Sequence, residues 1–593
     1  MFPKERRAAQ ERLAKIRENI SLAERATTRA FVYPALIATL IFAVVERNGC
    51  QEGQKYSDGA HFVSDVFWLG FVYPMLWAVG IGGAILFSEI TRIMFPPRID
   101  PEPKPMPYGT AHWAEPEELE AHELKPLGAP YDDGVFLGYD DTTGAPLRYQ
   151  GYNSLITFGP TGSGKLTTCI APQFATCPTS IIANDPKGEI AAITALYRRK
   201  FGKVIVLNPF NVLVDQCPYM KSSGFNPLAD LDPTSEEFAS DCAMIAEAVI
   251  LRESKDPHWD DGARIVTAGV IGYACTQAGE TRTLARVNEI INLPEAAFKA
   301  VMQVMHTSQE DFIKHAAVPY LSEKAAGEKE SIINNARTQL GTFMNAKGIQ
   351  RVLAGDDFRW SDLKKENVTV YIVLPEDKAK AFHRFTRLIY ESSLRALLRF
   401  PARPVYYVMD ELATSLGGEQ LTRVETAFNL GRGFGVRLHA FFQNYPQMKT
   451  IFKENAASLE SAAGVVMYHQ TNEEETFKKM QSRAGTWTDW VTTTSSSSGG
   501  GTSSSGGANG HGGSSGSSTS HNTSTSEQAF KRDLIDPEIG YEKMGKPSNA
   551  NGHTAHQILF FEGLASPVWS IRRGYWTDPH IAALFEPNPY KKG

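Results

Sequence analysis

The run Gly159-Pro-Thr-Gly-Ser-Gly-Lys165 follows an apolar stretch, Asn153-Ser-Leu-Ile-Thr-Phe158, that reads as a buried strand, and precedes a segment of helical character. Strand, G-x-x-x-x-G-K, helix is the context in which a tight loop turns its N–H groups inward around phosphate oxygens. The lysine reaches the outer phosphates, and the helix N-terminus adds its dipole. Gly159, Pro160, Thr161, Gly162, Ser163, Gly164, Lys165, Leu166 and Thr167 are therefore the candidate nucleotide-binding residues. A loop of this kind works only when a sheet holds the strand before it, which commits the chain to an α/β fold. One position departs from the pattern. The residue after Lys165 should offer a hydroxyl to magnesium, and here it is Leu166. Thr167 and Thr168 follow, each turned by about 100° or more around a helix from that position. Thr167 is the candidate substitute ligand, the other route being magnesium held through water.

A second nucleotide motif is an apolar strand ending in Asp-Glu, and Val405-Tyr-Tyr-Val-Met-Asp410-Glu411 supplies it. Asp410 is the candidate for the magnesium shell, and Glu411 for polarising the attacking water. A third strand, 436–442, ends in Gln443, which is placed to sense a γ-phosphate. Residues 180–207 alternate strand, Asp185-Pro-Lys-Gly-Glu189, helix and strand, as βαβ units of a parallel sheet do. From 233 to 347 the pattern turns helical, with almost no strand, and reads as an inserted all-α domain. Strand signals resume at 368–374. The expected nucleotide-binding domain thus runs through 96–232 and 348–491, and its C-terminal part with the tail through 527–593. Residues 492–526 are almost wholly Ser, Gly and Thr, cannot bury apolar surface, and read as a flexible linker.

Two apolar runs precede all of this. Residues 31–45 are uncharged, and 62–87 carry a single charge, Asp65. They are read as a transmembrane hairpin within 31–95, behind an N-terminal arm of 1–30. Eight Lys and Arg lie in the first 29 residues, against Arg47 and Lys55 in the connecting loop, and Arg92, Arg98 and Lys104 follow the second run. The positive-inside rule then puts both termini in the cytoplasm and the short loop in the periplasm. Two spans return the phosphate loop to the compartment that holds nucleotide. The six cysteines form no C-x-x-C pair and read as buried thiols of a reducing cytosol rather than as a metal or disulfide framework; Cys50 alone falls in the periplasmic loop. A net charge of −6 over 593 residues gives no general support for nucleic-acid binding.

Further stretches extend the pattern. Tyr108-Gly-Thr-Ala-His-Trp-Ala114, Asp185-Pro-Lys-Gly-Glu189, Phe225-Asn-Pro-Leu228, Trp259-Asp-Asp-Gly-Ala263 and Asp410-Glu411-Leu412 occur in that order. Together with the phosphate loop they resemble the signatures of the type IV secretion coupling proteins, the TraG/TraD kind of conjugation ATPase. The resemblance implies a RecA-like P-loop NTPase domain, ATP and Mg2+ as ligands, and an all-α domain that contacts the cargo or its carrier. It also implies a homo-hexamer in the inner membrane with sites between subunits. The implied partners are type IV secretion channel components, a relaxase or relaxosome or effector proteins, and single- or double-stranded DNA. Arg432, in Leu430-Gly-Arg-Gly-Phe-Gly435, is the candidate arginine finger from a neighbouring subunit. Two other readings stand beside this one: a docking receptor whose nucleotide site does not pump, and a double-stranded DNA translocase of the chromosome-partitioning type.

Overall fold

The computed structural model describes residues 104–590 apart from 122–123, 127–133, 280, 323–325, 400–402, 417–420, 504–515 and 549–551. The N-terminal arm, both apolar runs and Cys50 lie outside the described residues. Among the described ones, no helix is long and apolar enough to cross a membrane.

Fourteen strands occur among the described residues. They are β1 (Leu124–Pro126), β2 (Val135–Asp140), β3 (Pro146–Tyr149), β4 (Leu155–Phe158), β5 (Ser180–Asn184), β6 (Lys203–Leu207) and β7 (Val368–Ile372). The rest are β8 (Val405–Met409), β9 (Val436–Phe442), β10 (Val465–Tyr468), β11 (Thr486–Ser503), β12 (Gly516–Asp533), β13 (Thr554–Phe561) and β14 (Val568–Arg573). Twelve form one sheet in the order β1-β3-β2-β14-β13-β10-β4-β9-β8-β5-β7-β6. From β10 to β6 every pairing is parallel. The other five strands are joined by antiparallel pairings.

The parallel strands are continuous apolar runs because helices cover both faces. Alternation along β8 assigns the faces: Tyr406 packs in a cluster with Phe174 and Ile190, which flank it from the helices Ala171–Thr176 and Glu189–Arg198. Tyr407, the next residue, meets Tyr390 and the Ser393 hydroxyl of helix Glu376–Leu397 on the opposite face.

Between β6 and β7 the described residues form seven α-helices: Phe238–Val249, Pro257–Thr276, Leu284–Ile291, Glu295–His306, Asp311–Leu321, Ala326–Met344 and Lys347–Ala354. The helical run therefore passes the expected boundary at 347, because Lys347–Ala354 packs back on Leu284–Ile291 through Ile349, Val352 and Leu353. Pro257–Thr276 is the central helix. Its Gly269 admits helix Asp311–Leu321 so closely that an added Cβ would sit 2.3 Å from that of Ala316. A charged clamp holds this insertion to the motor: Asp241 receives Arg395 at 2.6 Å and Arg399 at 2.6 Å, with Asp241 and Arg395 each 2% exposed at the side chain.

Of the 492–526 stretch expected as a flexible linker, residues 504–515 lie outside the described ones, and the described remainder lies in β11 and β12. β11 and β12 pair antiparallel over eighteen positions, from Thr486↔Asp533 to Ser503↔Gly516. The hairpin is rooted in folded chain: Thr110 bridges Trp487 and the Tyr108 N–H donates to the Thr488 hydroxyl at 3.0 Å, while Arg532 pairs with Asp489 at 2.6 Å across the hairpin itself. A composition of this kind offers little apolar surface for a core. A ladder, however, is satisfied by backbone groups, and once its base is fixed in register the threonine-rich arms continue it.

Two of these buried polar groups should govern stability. Asp241→Ala leaves the buried Arg395 guanidinium without its carboxylate, while Arg399 keeps Glu237, so it should lower stability by about 3 kcal/mol in a denaturant melt. The other group is His439 of β9, fully buried between the Thr157 hydroxyl of β4 at 2.7 Å and the Tyr406 hydroxyl of β8. Burial pulls its pKa down to about 3, against about 6.5 in the unfolded chain. The unfolded chain thus takes up a proton that the folded one refuses. Stability should fall by about 1.4 kcal/mol per pH unit from this group as pH drops below about 6.5, until about pH 3. Acid melts of the wild type and His439→Gln, which cannot titrate, should differ in slope over that window.

Candidate active site

β9 lies between β4 and β8, so the carboxyl ends of the three strands present Gly159, Gln443 and Asp410 along one edge of the sheet. This edge is where ligands bind in open parallel sheets. The loop leaves β4 with the Gly159 N–H on the Phe442 carbonyl at 2.9 Å. Gly162 and Gly164 take φ of +76° and +87°, the left-handed region that glycine enters without strain. Lys165 is 9% exposed; its ammonium donates to the Gly159 carbonyl at 2.9 Å and lies 3.8 Å from Glu411 Oε1. The chain then enters a widened helical turn, Leu166–Ile170, before the regular helix Ala171–Thr176.

Glu411 stands in the left-handed region, φ +50° and ψ +42°, where a non-glycine residue is strained. Gln443 Nε2 donates to Glu411 Oε2 at 3.3 Å, so lysine, glutamate and glutamine converge on one point. Desolvation pushes the Asp410 carboxyl up to about 6; the Lys165 ammonium opposes this and the Glu411 carboxylate adds to it. Asp185, which follows β5 as Asp410 follows β8, is driven up to about 7 by burial, against the stabilising N–H groups of Ala191 and Ile190.

A cleft of about 540 Å³ opens on this edge. Thr161, Gly162, Ser163, Gly164, Lys165, Leu166 and Thr167 line it together with Asp410 and Glu411, whereas Gly159 and Pro160 begin the loop outside the lining. The Thr167 hydroxyl donates to the Gly164 carbonyl at 3.2 Å, and that of Thr168 does so at 2.8 Å from a buried position. Leu166 packs instead into an apolar cluster with Tyr575, Trp576 and Ile581 from the end of the chain. Arg432 lies at the other edge: its short helix Gly431–Phe434 precedes β9, and its guanidinium is 3.4 Å from Asn153 Oδ1 before β4. Within one chain it is not brought to Lys165.

Sequence reading did not nominate Asp185, or the cleft residues Pro547, Ser548, His553 and Trp576. An Asp closing an apolar strand was the available signal for the first. The others come after a low-complexity segment and carry no motif. Arg572 was also missed. This β14 residue is 1% exposed, and its guanidinium donates to the carbonyls of Ser163, His469, Met544, Gly545 and His556. Desolvation lowers its pKa to about 9.

A family profile described as type IV secretory system conjugative DNA transfer matches residues 128–588. The chain belongs to that family. Among relatives of this family member, a conjugal transfer protein TraG of Escherichia coli is 25% identical over 526 residues, covering 80% of this chain and 78% of the relative. Another TraG of Escherichia coli is 27% identical over 383 residues, covering 58% of each chain. Protein VirD4 of Rhizobium radiobacter is 23% identical over 447 residues, covering 72% of this chain and 60% of its own length. The chain thus spans less than two thirds of two of these three relatives. The solved structure of the bacterial conjugative coupling protein TrwBdeltaN70 shares the fold, with a TM-score of 0.51 at 13% identity over 79% of this chain and 95% of that one. TrwB in complex with the non-hydrolysable ATP analogue ADPNP aligns with a TM-score of 0.50 at 14% identity, over 78% and 95%.

Arg572→Met should strip the donors from five carbonyls and lower stability by about 3 kcal/mol, read as a fall in denaturation midpoint at unchanged m-value.

Proposed function

We propose that this chain is a bacterial inner-membrane ATPase, with both termini in the cytoplasm, that recruits cargo and drives it into a type IV secretion channel. The cargo is a relaxase–DNA complex or effector proteins, and the working form is a homo-hexamer. The observation that carries this reading is the convergence of Lys165, Glu411 and Gln443, from three strands, at one edge of the sheet. Family membership, relatives named as conjugal transfer proteins and the ATP analogue of the TrwB complex support it.

The chemistry derives from the groups present. The loop N–H groups and the Lys165 ammonium offset phosphate charge. Glu411 accepts the proton of the attacking water, and Gln443, bonded to its other oxygen, holds the carboxylate in place. Asp410 and the Thr167 hydroxyl in the same cleft are a donor set that fits magnesium. When bound, the ion supplies positive charge to the phosphate oxygens. Arg432, on the opposite edge, acts on the site of the next subunit, as a finger in trans requires.

Glu411→Gln should reduce phosphate release about 100-fold or more while nucleotide binding persists. Lys165→Ala should lose both, measured on purified full-length protein with and without single-stranded DNA. If both variants hydrolyse ATP like the wild type, the docking-receptor reading replaces this one.

A further inference from the structure

The cleft has a wall that the nucleotide motifs do not account for. β13 runs antiparallel to β10, which is parallel to β4, so the start of β13 and the end of β14 emerge at the phosphate-loop edge. His553 immediately precedes β13, Trp576 lies just past β14, and both line the cleft while remaining only partly buried. Across the sheet these elements lie on the far side of β4 from β8, which carries Glu411. With strands about 4.8 Å apart, the two ends of the cleft are separated by several strand widths. A nucleoside triphosphate whose outer phosphate faces Glu411 and Gln443 therefore directs its nucleoside toward β13 and β14.

The far end is aromatic and fixed. The rings of His553 and Trp576 meet edge to face, with centroids 4.9 Å apart at 83°. Trp576 lies flat over Gly574, where an added Cβ would come within 2.7 Å of the indole. Tyr575 abuts it at 5.2 Å, and Leu166 of the phosphate-loop helix packs in the same cluster. His553 holds φ +58°, and its carbonyl accepts from the Gly574 N–H at 3.2 Å. A strained residue kept in place beside a ligand cleft is a mark of a functional position.

We infer that His553 and Trp576 form the base-binding end of the cleft, against which the heterocyclic base of the nucleotide stacks. This rests on the nucleotide reading of the site and deepens it by assigning the nucleoside end. A base laid against these rings is recognised as a planar group, so ATP and GTP should bind alike. Leu166 packs against the same buried cluster as Trp576, so the side chain in the place of a metal-directed hydroxyl serves apolar packing at this wall.

The test compares two probes on the full-length protein, ATP and inorganic triphosphate, which lacks a base. His553→Ala and Trp576→Leu should each weaken ATP binding about tenfold and leave inorganic triphosphate unchanged, while Trp576→Phe retains most of the ATP affinity. Unchanged ATP affinity in both His553→Ala and Trp576→Leu overturns the assignment. Equal loss for ATP and triphosphate also overturns it, because the residues then only brace the phosphate loop. Should Trp576→Leu fail to fold, His553→Ala and Trp576→Phe decide by the same comparison. Lys165→Ala separates the two levels: if it leaves the affinity for both probes intact, the nucleotide reading itself fails.

Discussion

Beneath the phosphate loop lies a guanidinium whose partners are main-chain carbonyls: Arg572 reaches Ser163 in the loop, His469 after β10, Met544 and Gly545, and His556 in β13. A charge buried this far from water persists only when its donors are satisfied, and here the backbone supplies the acceptors. The result is a knot between residues 409 positions apart in sequence. The loop that binds phosphate is thereby fixed by the last strand of the sheet, and a positive charge stands behind the anion it receives. Contacts of such sequence separation form late in folding, so the binding edge is completed only when the C-terminal strands have docked.

The insertion of β9 between β4 and β8 is the second constraint. It brings Gln443 beside Glu411 at the edge that also carries Lys165 and Asp410. It also aligns Thr157, His439 and Tyr406 as a buried polar rung across the three strands. That rung fixes the strands relative to one another a few residues below the catalytic edge. The helical insertion is tied to this core through its Asp241, which Arg395 and Arg399 hold from the end of helix Glu376–Leu397. The same helix packs Tyr390 against Tyr407 of β8, and its first residue, Glu376, lines the cleft. One element thus touches the sheet, the helical insertion and the phosphate-loop edge.

The region after 485 shows where composition misleads. Serine, glycine and threonine argue correctly against a core, yet they leave the backbone free to pair with itself. Residues 486–503 and 516–533 form a ladder whose base is held by the folded domain through Trp487 and Thr488, with Asp489 and Arg532 paired across the two strands. Beyond the hairpin the chain returns to the sheet antiparallel, and this reversal delivers His553 and Trp576 to the phosphate-loop edge.

The sequence by itself determined the phosphate loop, the Asp410-Glu411 pair, the parallel α/β core and the helical insertion. Each of these is written in contiguous residues: glycines at fixed offsets, apolar runs ending in acids, and helical periodicity. Tertiary structure alone decided the rest. Arg572 and the His553–Trp576 wall carry no local signature, because their roles come from neighbours distant in sequence, and Asp185, though it closes an apolar strand, shows its place in the cleft only in the fold. Leu166 looked like a defect while only the motif was in view, and became a packing residue once the C-terminal cluster was seen around it. Local patterns encode what one backbone segment prefers, whereas a site of this kind is assembled by strand order. That order depends on which buried surfaces match across the whole chain.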